Sequence, residues 1–344
     1  MIKSNTFINI LFLIVSYFIY LTYKPFLIDI VIAVLLAIAL FQIENFIFKK
    51  VKNKYLSSSM ITLLLALLFF TPLFYFISSA THIIHNITPE SIQHVISKIK
   101  DLFTYLPDTV ADKLKAFLAS DNIQSLYNNL VKFIGTLTTK SAIFIKDMLL
   151  IVIFFFFANL YGKEILTFVQ NIIPLENKKA YILFHDTQQV MGLVFYSTIT
   201  TAILEGLLFG VFVQSYGFDG VFFSVMYAFA SLIPVIGGAI MWIPLSLYMY
   251  AKGDISGAIQ IALYSIIVIS IIADTFIKPL IIKYIKLRLK NSIELNPLLI
   301  FFSIVAGLST FGFWGMILGP AITSIFISIL KFFKKQSNNL SQLY

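Results

Sequence analysis

The chain has 344 residues, 59% of them hydrophobic and 12% charged, with a formal net charge of +9 and no cysteine. A soluble domain is about 45–50% apolar and about 25% charged, so this composition excludes a soluble globular protein and implies an all-α polytopic protein embedded in a lipid bilayer. It also excludes disulfides and thiol chemistry, and it makes the positive charge a signal of membrane orientation and not of nucleic-acid binding.

In chain order, apolar runs place spans at about 7–23, 26–47, 58–80, 147–161, 190–213 and 258–277. The first run lacks a small-residue cleavage site and leads straight into the second, so it reads as a retained helix and not a signal peptide. Lys49, Lys50, Lys52 and Lys54 follow the second span, and lysine-rich short loops lie on the cytoplasmic side. The N-terminus is then cytoplasmic, and residues 81–146 form an extracytoplasmic insert. There, Thr88 and Pro89 open a helix whose Ile92, Val95, Ile96, Ile99, Leu102, Phe103 and Leu106 make one apolar stripe. Pro107 stops it, and a third helix capped by Asp121 continues toward the fourth span. Such an insert packs on itself or on a neighbouring copy in a homo-oligomer, or else captures a ligand.

The division is therefore 1–80, three N-terminal spans; 81–146, the insert; 147–189, the fourth span and a cytoplasmic linker; 190–335, a core; and 336–344, a tail. Two further apolar runs in the core, Val221–Tyr250 and Leu295–Leu330, are too long for one crossing, since about 20 residues span a bilayer. Pro234, Gly237 and Gly238 interrupt the first, and Gly312 and Gly315 the second, with Pro244 and Pro320 shortly beyond. If the first run crossed once, Lys278, Lys283, Lys286, Arg288 and Lys290 would lie outside, against the positive-inside rule. If both runs enter, turn and leave, those residues and Lys331, Lys334 and Lys335 are cytoplasmic. The expected fold has about eight hydrophobic segments, two of them re-entrant hairpins in an inverted repeat of 190–250 and 258–331. Glycines at the tips would reach positive φ and admit close backbone approach. Irregular backbone at that depth must be buried in protein or line a polar cavity.

Glu205 and Asp274 lie within spans, where a carboxylate marks a functional site by default. Asp274 has a structural alternative, an i,i+4 pair with Lys278. Glu205 has no partner nearby in sequence and either carries a cation or proton or bonds open hairpin backbone. The Gly206–Gly210 and Gly315–Gly319 spacings suit close helix contact. His82, His85, His94 and His185 form no metal-ligand pattern. No phosphate-binding loop or hydrolase motif occurs, which argues against an enzyme or an ATP-driven pump.

Glu205-Gly206, the segment from Ser231 through Pro234 to Gly237-Gly238, and the segment from Asp274 to Lys278-Pro279 resemble the autoinducer-2 exporter family of bacterial membrane permeases. So do Asn296-Pro297, Gly307, Phe311-Gly312, Gly315 and Gly319-Pro320. The match covers roughly 190–330. One departure is Glu205, where the family often has glutamine. The resemblance implies a multi-pass transporter of the bacterial inner membrane that exports a small polar solute such as the quorum-sensing signal autoinducer-2. Sodium/proton antiport is the alternative, and a membrane scaffold or channel-like oligomer the non-transport one. No cofactor is implied beyond sodium or a proton as coupling ion. The expected site is Glu205, Asp274, Pro234, Gly237, Gly238, Asn296, Gly312 and Gly315, with Pro244, Lys278, Pro279, Pro297, Gly319 and Pro320 supporting it.

Overall fold

The computed structural model describes residues 4–85, 97, 120–172, 177–233, 236–288 and 296–341. Most of the insert, Pro234, Lys290 and the last residues of the tail lie outside them. Every regular element among the described residues is helical, and six apolar stretches are long enough to cross a membrane.

Helix α1 (Ser4–Tyr23) meets α2 (Leu27–Val51) at a 3₁₀ turn, Lys24–Phe26, where Pro25 cannot donate into a continuing helix. Helix α2 ends at Lys52, whose left-handed φ of 55° closes the N–H bond to Phe48 O. Asn53 then accepts from Tyr55 N and Leu56 N to start α3 (Lys54–His85). The expected run of the insert's third helix into the fourth span is present as α4 (Ser120–Ile172), 53 residues and about 80 Å long. That far exceeds the roughly 30 Å hydrocarbon layer. Helix α5 (Asn177–Gln214) follows.

The first broken run is two short helices, α6 (Gly220–Ser231) and α7 (Gly237–Ala251). Asp219 caps α6, accepting from Val221 N and Phe222 N and from the Tyr75 hydroxyl at 2.9 Å. These donors hold its carboxyl below the ordinary aspartate range, the Phe222 N–H contributing most. Helices α6 and α7 run antiparallel: Ala230 lies against Gly237, Tyr227 against Gly238, and the rings of Phe218 and Tyr248 are 6.0 Å apart.

Asp254 caps α8 (Ile255–Tyr264), and a π-helical segment, Ser265–Ile277, leads into α9 (Lys278–Arg288). Pro279 accounts for the last of the widened turns. It has no N–H, and its ring displaces the carbonyl one turn back. The Lys278 N–H accordingly reaches to Ala273 O.

The second broken run is α10 (Pro297–Phe311), a 3₁₀ turn at Gly312–Trp314, and α11 (Gly315–Ser341). Gly312 has φ of 61°, the left-handed region that favours glycine. Beyond it the helices run antiparallel with backbones in contact, Gly315 against Gly307 and Gly319 against Ser303. Both broken runs are thus helical hairpins, but their glycines work differently. Contrary to the expectation of positive φ at all four tip glycines, Gly237, Gly238 and Gly315 do not adopt it; Gly312 does. A Cβ on Gly237 would overlap the Ala230 carbonyl, and one on Gly238 would meet the Tyr227 hydroxyl at 2.5 Å. Close approach, not chain reversal, requires glycine there.

Two cores lie side by side. One joins α2, α3, α4, α5 and the head of α11 around Leu36, Leu65, Ile151, Phe155, Met191 and Trp314. The other joins α5 through the π segment around Phe209, Tyr227, Leu245, Met249 and Ile261. Helix α5 belongs to both. Gly206 and Gly210 let it approach α6 so closely that a Cβ on either would overlap Ser224. The helix contact read from their spacing is present.

Candidate functional site

The π segment and the start of α9 carry Asp274 and Lys278, one helical turn apart. The Lys278 ammonium donates to Asp274 Oδ1 at 2.9 Å, so the i,i+4 pair forms. Lys278 also reaches Glu205 Oε1 on α5 at 3.6 Å. Glu205 is buried, with 7% of its side chain exposed, against 43% for Asp274 and 40% for Lys278. One ammonium therefore bridges two carboxylates, one exposed at the protein surface and one enclosed.

The first hairpin closes over this triad. Ser231, the last residue of α6, lies beside Glu205, and Asp274 faces the same carboxylate. Tyr227, fully buried one turn earlier, lies near both acids and covers Gly238. Ile233 N donates to Ala230 O at 2.9 Å and Gly237 N to Ile233 O at 3.0 Å. The polar side chains at the site are Glu205, Asp274, Lys278 and Ser231.

The remaining expected residues are placed as follows. Pro234 lies outside the described residues. Asn296 caps α10, its side chain accepting from Leu298 N at 2.9 Å. Gly312 and Gly315 make the second turn and its helix contact. Pro244 and Pro320 sit inside α7 and α11, and Pro297 opens α10. Glu205, Asp274 and Lys278 come together with the first hairpin.

Between the hairpins lies a cavity of about 280 Å³, bounded by α3, α5, α6 and the second turn. Phe69, Ala202, Ala228, Ile304, Phe313 and Trp314 are among its walls, and Thr198 and Ser224 supply the hydroxyls. Aromatic contacts fix the second turn against it: Trp314 stacks on Phe144 at 5.4 Å and tilts against Phe69 at 6.0 Å.

Sequence reading missed two features. The Glu205–Lys278 contact crosses from α5 to α9, and no local spacing reveals it. Asp29, by contrast, had a visible signal, a lone acid in an apolar run. It is buried at 4% exposure on α2, near the Lys146–Asp147 pair of α4, whose atoms are 2.9 Å apart.

A family profile described as "AI-2E family transporter" matches residues 7–335. A Helicobacter pylori protein (strain ATCC 700392 / 26695) described as "Putative transport protein" is 36% identical over 337 residues, covering 96% of each chain. Its counterpart from strain J99 is 35% identical over the same length and coverage. An Aquifex aeolicus protein of the same description is 23% identical over 330 residues, covering 89% of this chain and 90% of its own.

Proposed function

The chain belongs to the AI-2E family of transporters, and from that premise we propose that it is a secondary transporter coupled to a cation at the Glu205–Lys278–Asp274 triad. The observation that carries this reading is the ammonium held between two carboxylates within a membrane span. A site that binds the ammonium of Lys278 has the charge and the oxygen ligands to take sodium or a proton in its place, and ionisable groups at such depth mark ion paths.

The hairpins support the architecture. Helix α6 has 12 residues, about 18 Å, and α7 has 15, about 22 Å, against a hydrocarbon layer of roughly 30 Å. They read as re-entrant, and α10 with α11 as their inverted counterpart. The basic run on α9 then faces the cytoplasm of a bacterial inner membrane, as do both termini. Single cysteines at 252 and 288, in a chain with none of its own, test this. An impermeant thiol reagent added to intact cells should label position 252 and spare 288; the reverse pattern would invert the topology.

The solute suggested by resemblance is a small polar molecule, autoinducer-2, moving outward. Sodium/proton antiport is the second reading, and one observation favours it: the triad shares no residue with the cavity walls, so ion exchange there needs no solute. Glu205→Gln and Asp274→Asn are each expected to lower cation-driven flux in proteoliposomes at least about tenfold, with the amount of inserted protein unchanged. Parent-like flux in both variants would leave the scaffold or channel reading.

A further inference from the structure

The cavity between the hairpins is not part of the charged triad, yet it is built on the same two helices. On α5, Ala202 and Leu207 line the cavity while Glu205 joins the triad. On α6, Val225 and Ala228 line it while Tyr227 and Ser231 lie on the acids. A displacement of α6 along α5 would therefore alter both spaces at once.

The cavity's chemistry is one-sided. Among the described residues no charged side chain lines it, and Thr198, Ser224 and the indole of Trp314 are the polar side chains in its walls. A charged solute would lose its hydration there with nothing to replace it, and a polyhydroxylated one would find too few partners. An enclosed engineered cavity of about 150 Å³ with aliphatic and aromatic walls binds benzene; this space is larger, has similar walls and is open on one side. Its flank is reached from the bilayer side, where Ile203 and Leu207 are 49% and 53% exposed.

We propose that this cavity is the solute chamber of the transporter and that its solute is an uncharged, mainly apolar small molecule of the size of two or three fused or linked rings. The proposal rests on the transporter reading above and names its substrate class, in place of the polar solute suggested by resemblance.

The chain has two tryptophans, Trp242 and Trp314, so Trp242→Phe leaves the cavity-lining Trp314 as sole emitter. The full chain with that substitution, in lipid nanodiscs, is titrated with N-phenyl-1-naphthylamine, an uncharged aromatic acceptor of tryptophan emission. Saturable energy transfer is expected. Ala202→Phe or Val225→Phe, two independent ways of filling the cavity, should each weaken it at least about tenfold. Naphthalene should compete, and a polyhydroxylated furanone should not. Transfer that never saturates, or that survives both substitutions, would show partition into the bilayer and overturn the proposal; so would displacement by the furanone. Glu205→Gln separates the two readings. If probe binding persists while cation flux ignores Glu205→Gln, the coupling site fails alone. If flux falls with Glu205→Gln but the probe never saturates, the chamber fails alone.

Discussion

Lys278→Met is expected to cost the folded protein about 3 kcal/mol, because removing one partner of an enclosed ion pair leaves an uncompensated charge. Here the stranded charge is Glu205, with 7% of its side chain exposed. Asp274 is more open and tolerates the loss better. Glu205→Gln added to the same chain should then restore most of the stability, since no bare charge remains, while cation-driven flux stays lost in both. Thermal denaturation in detergent, with flux measured in parallel, completes the cycle. Independent, additive losses in the double variant would mean that the two side chains do not interact, and the bridging role of Lys278 would be withdrawn.

Gly315→Val carries the second large effect, and it separates the two hairpins. A side chain at 315 meets the backbone of Gly307, which cannot rotate away, so α10 and α11 must part. A cost of about 3 kcal/mol, the upper part of the usual range for overpacking, is expected, with transport and folded yield falling together. Gly238→Val meets the hydroxyl end of Tyr227, a side chain that can shift. It should disturb the triad's cover and cost flux while more of the folded protein survives. Equal melting temperatures for the two variants would contradict this asymmetry.

The hairpins were legible because glycine and proline interrupt runs too apolar to be loops. The Asp274–Lys278 pair was legible because it follows helical spacing. The third member of the triad was not, since Glu205 reaches Lys278 only through the packing of α5 on α9. The glycines at 237 and 238 were singled out for positive φ and for close approach, and only the second holds; both demands select glycine, so the sequence alone does not tell them apart. Asn296 caps α10, a role that the following Pro297 announces. The cavity left no trace in the sequence, because its walls are the same alanines, leucines and phenylalanines that face lipid elsewhere.

The bridging lysine has an electrical consequence. With both acids ionised, Glu205, Asp274 and Lys278 sum to one negative charge, and a bound sodium ion or proton brings the sum to zero. Carrying one elementary charge through the whole membrane field takes about 2.3 kcal/mol per 100 mV. If the triad couples transport as proposed, a loaded site would change sides without electrical work, while the empty site would be driven by the membrane voltage as it returned. Turnover would be limited by voltage at the unloaded step alone.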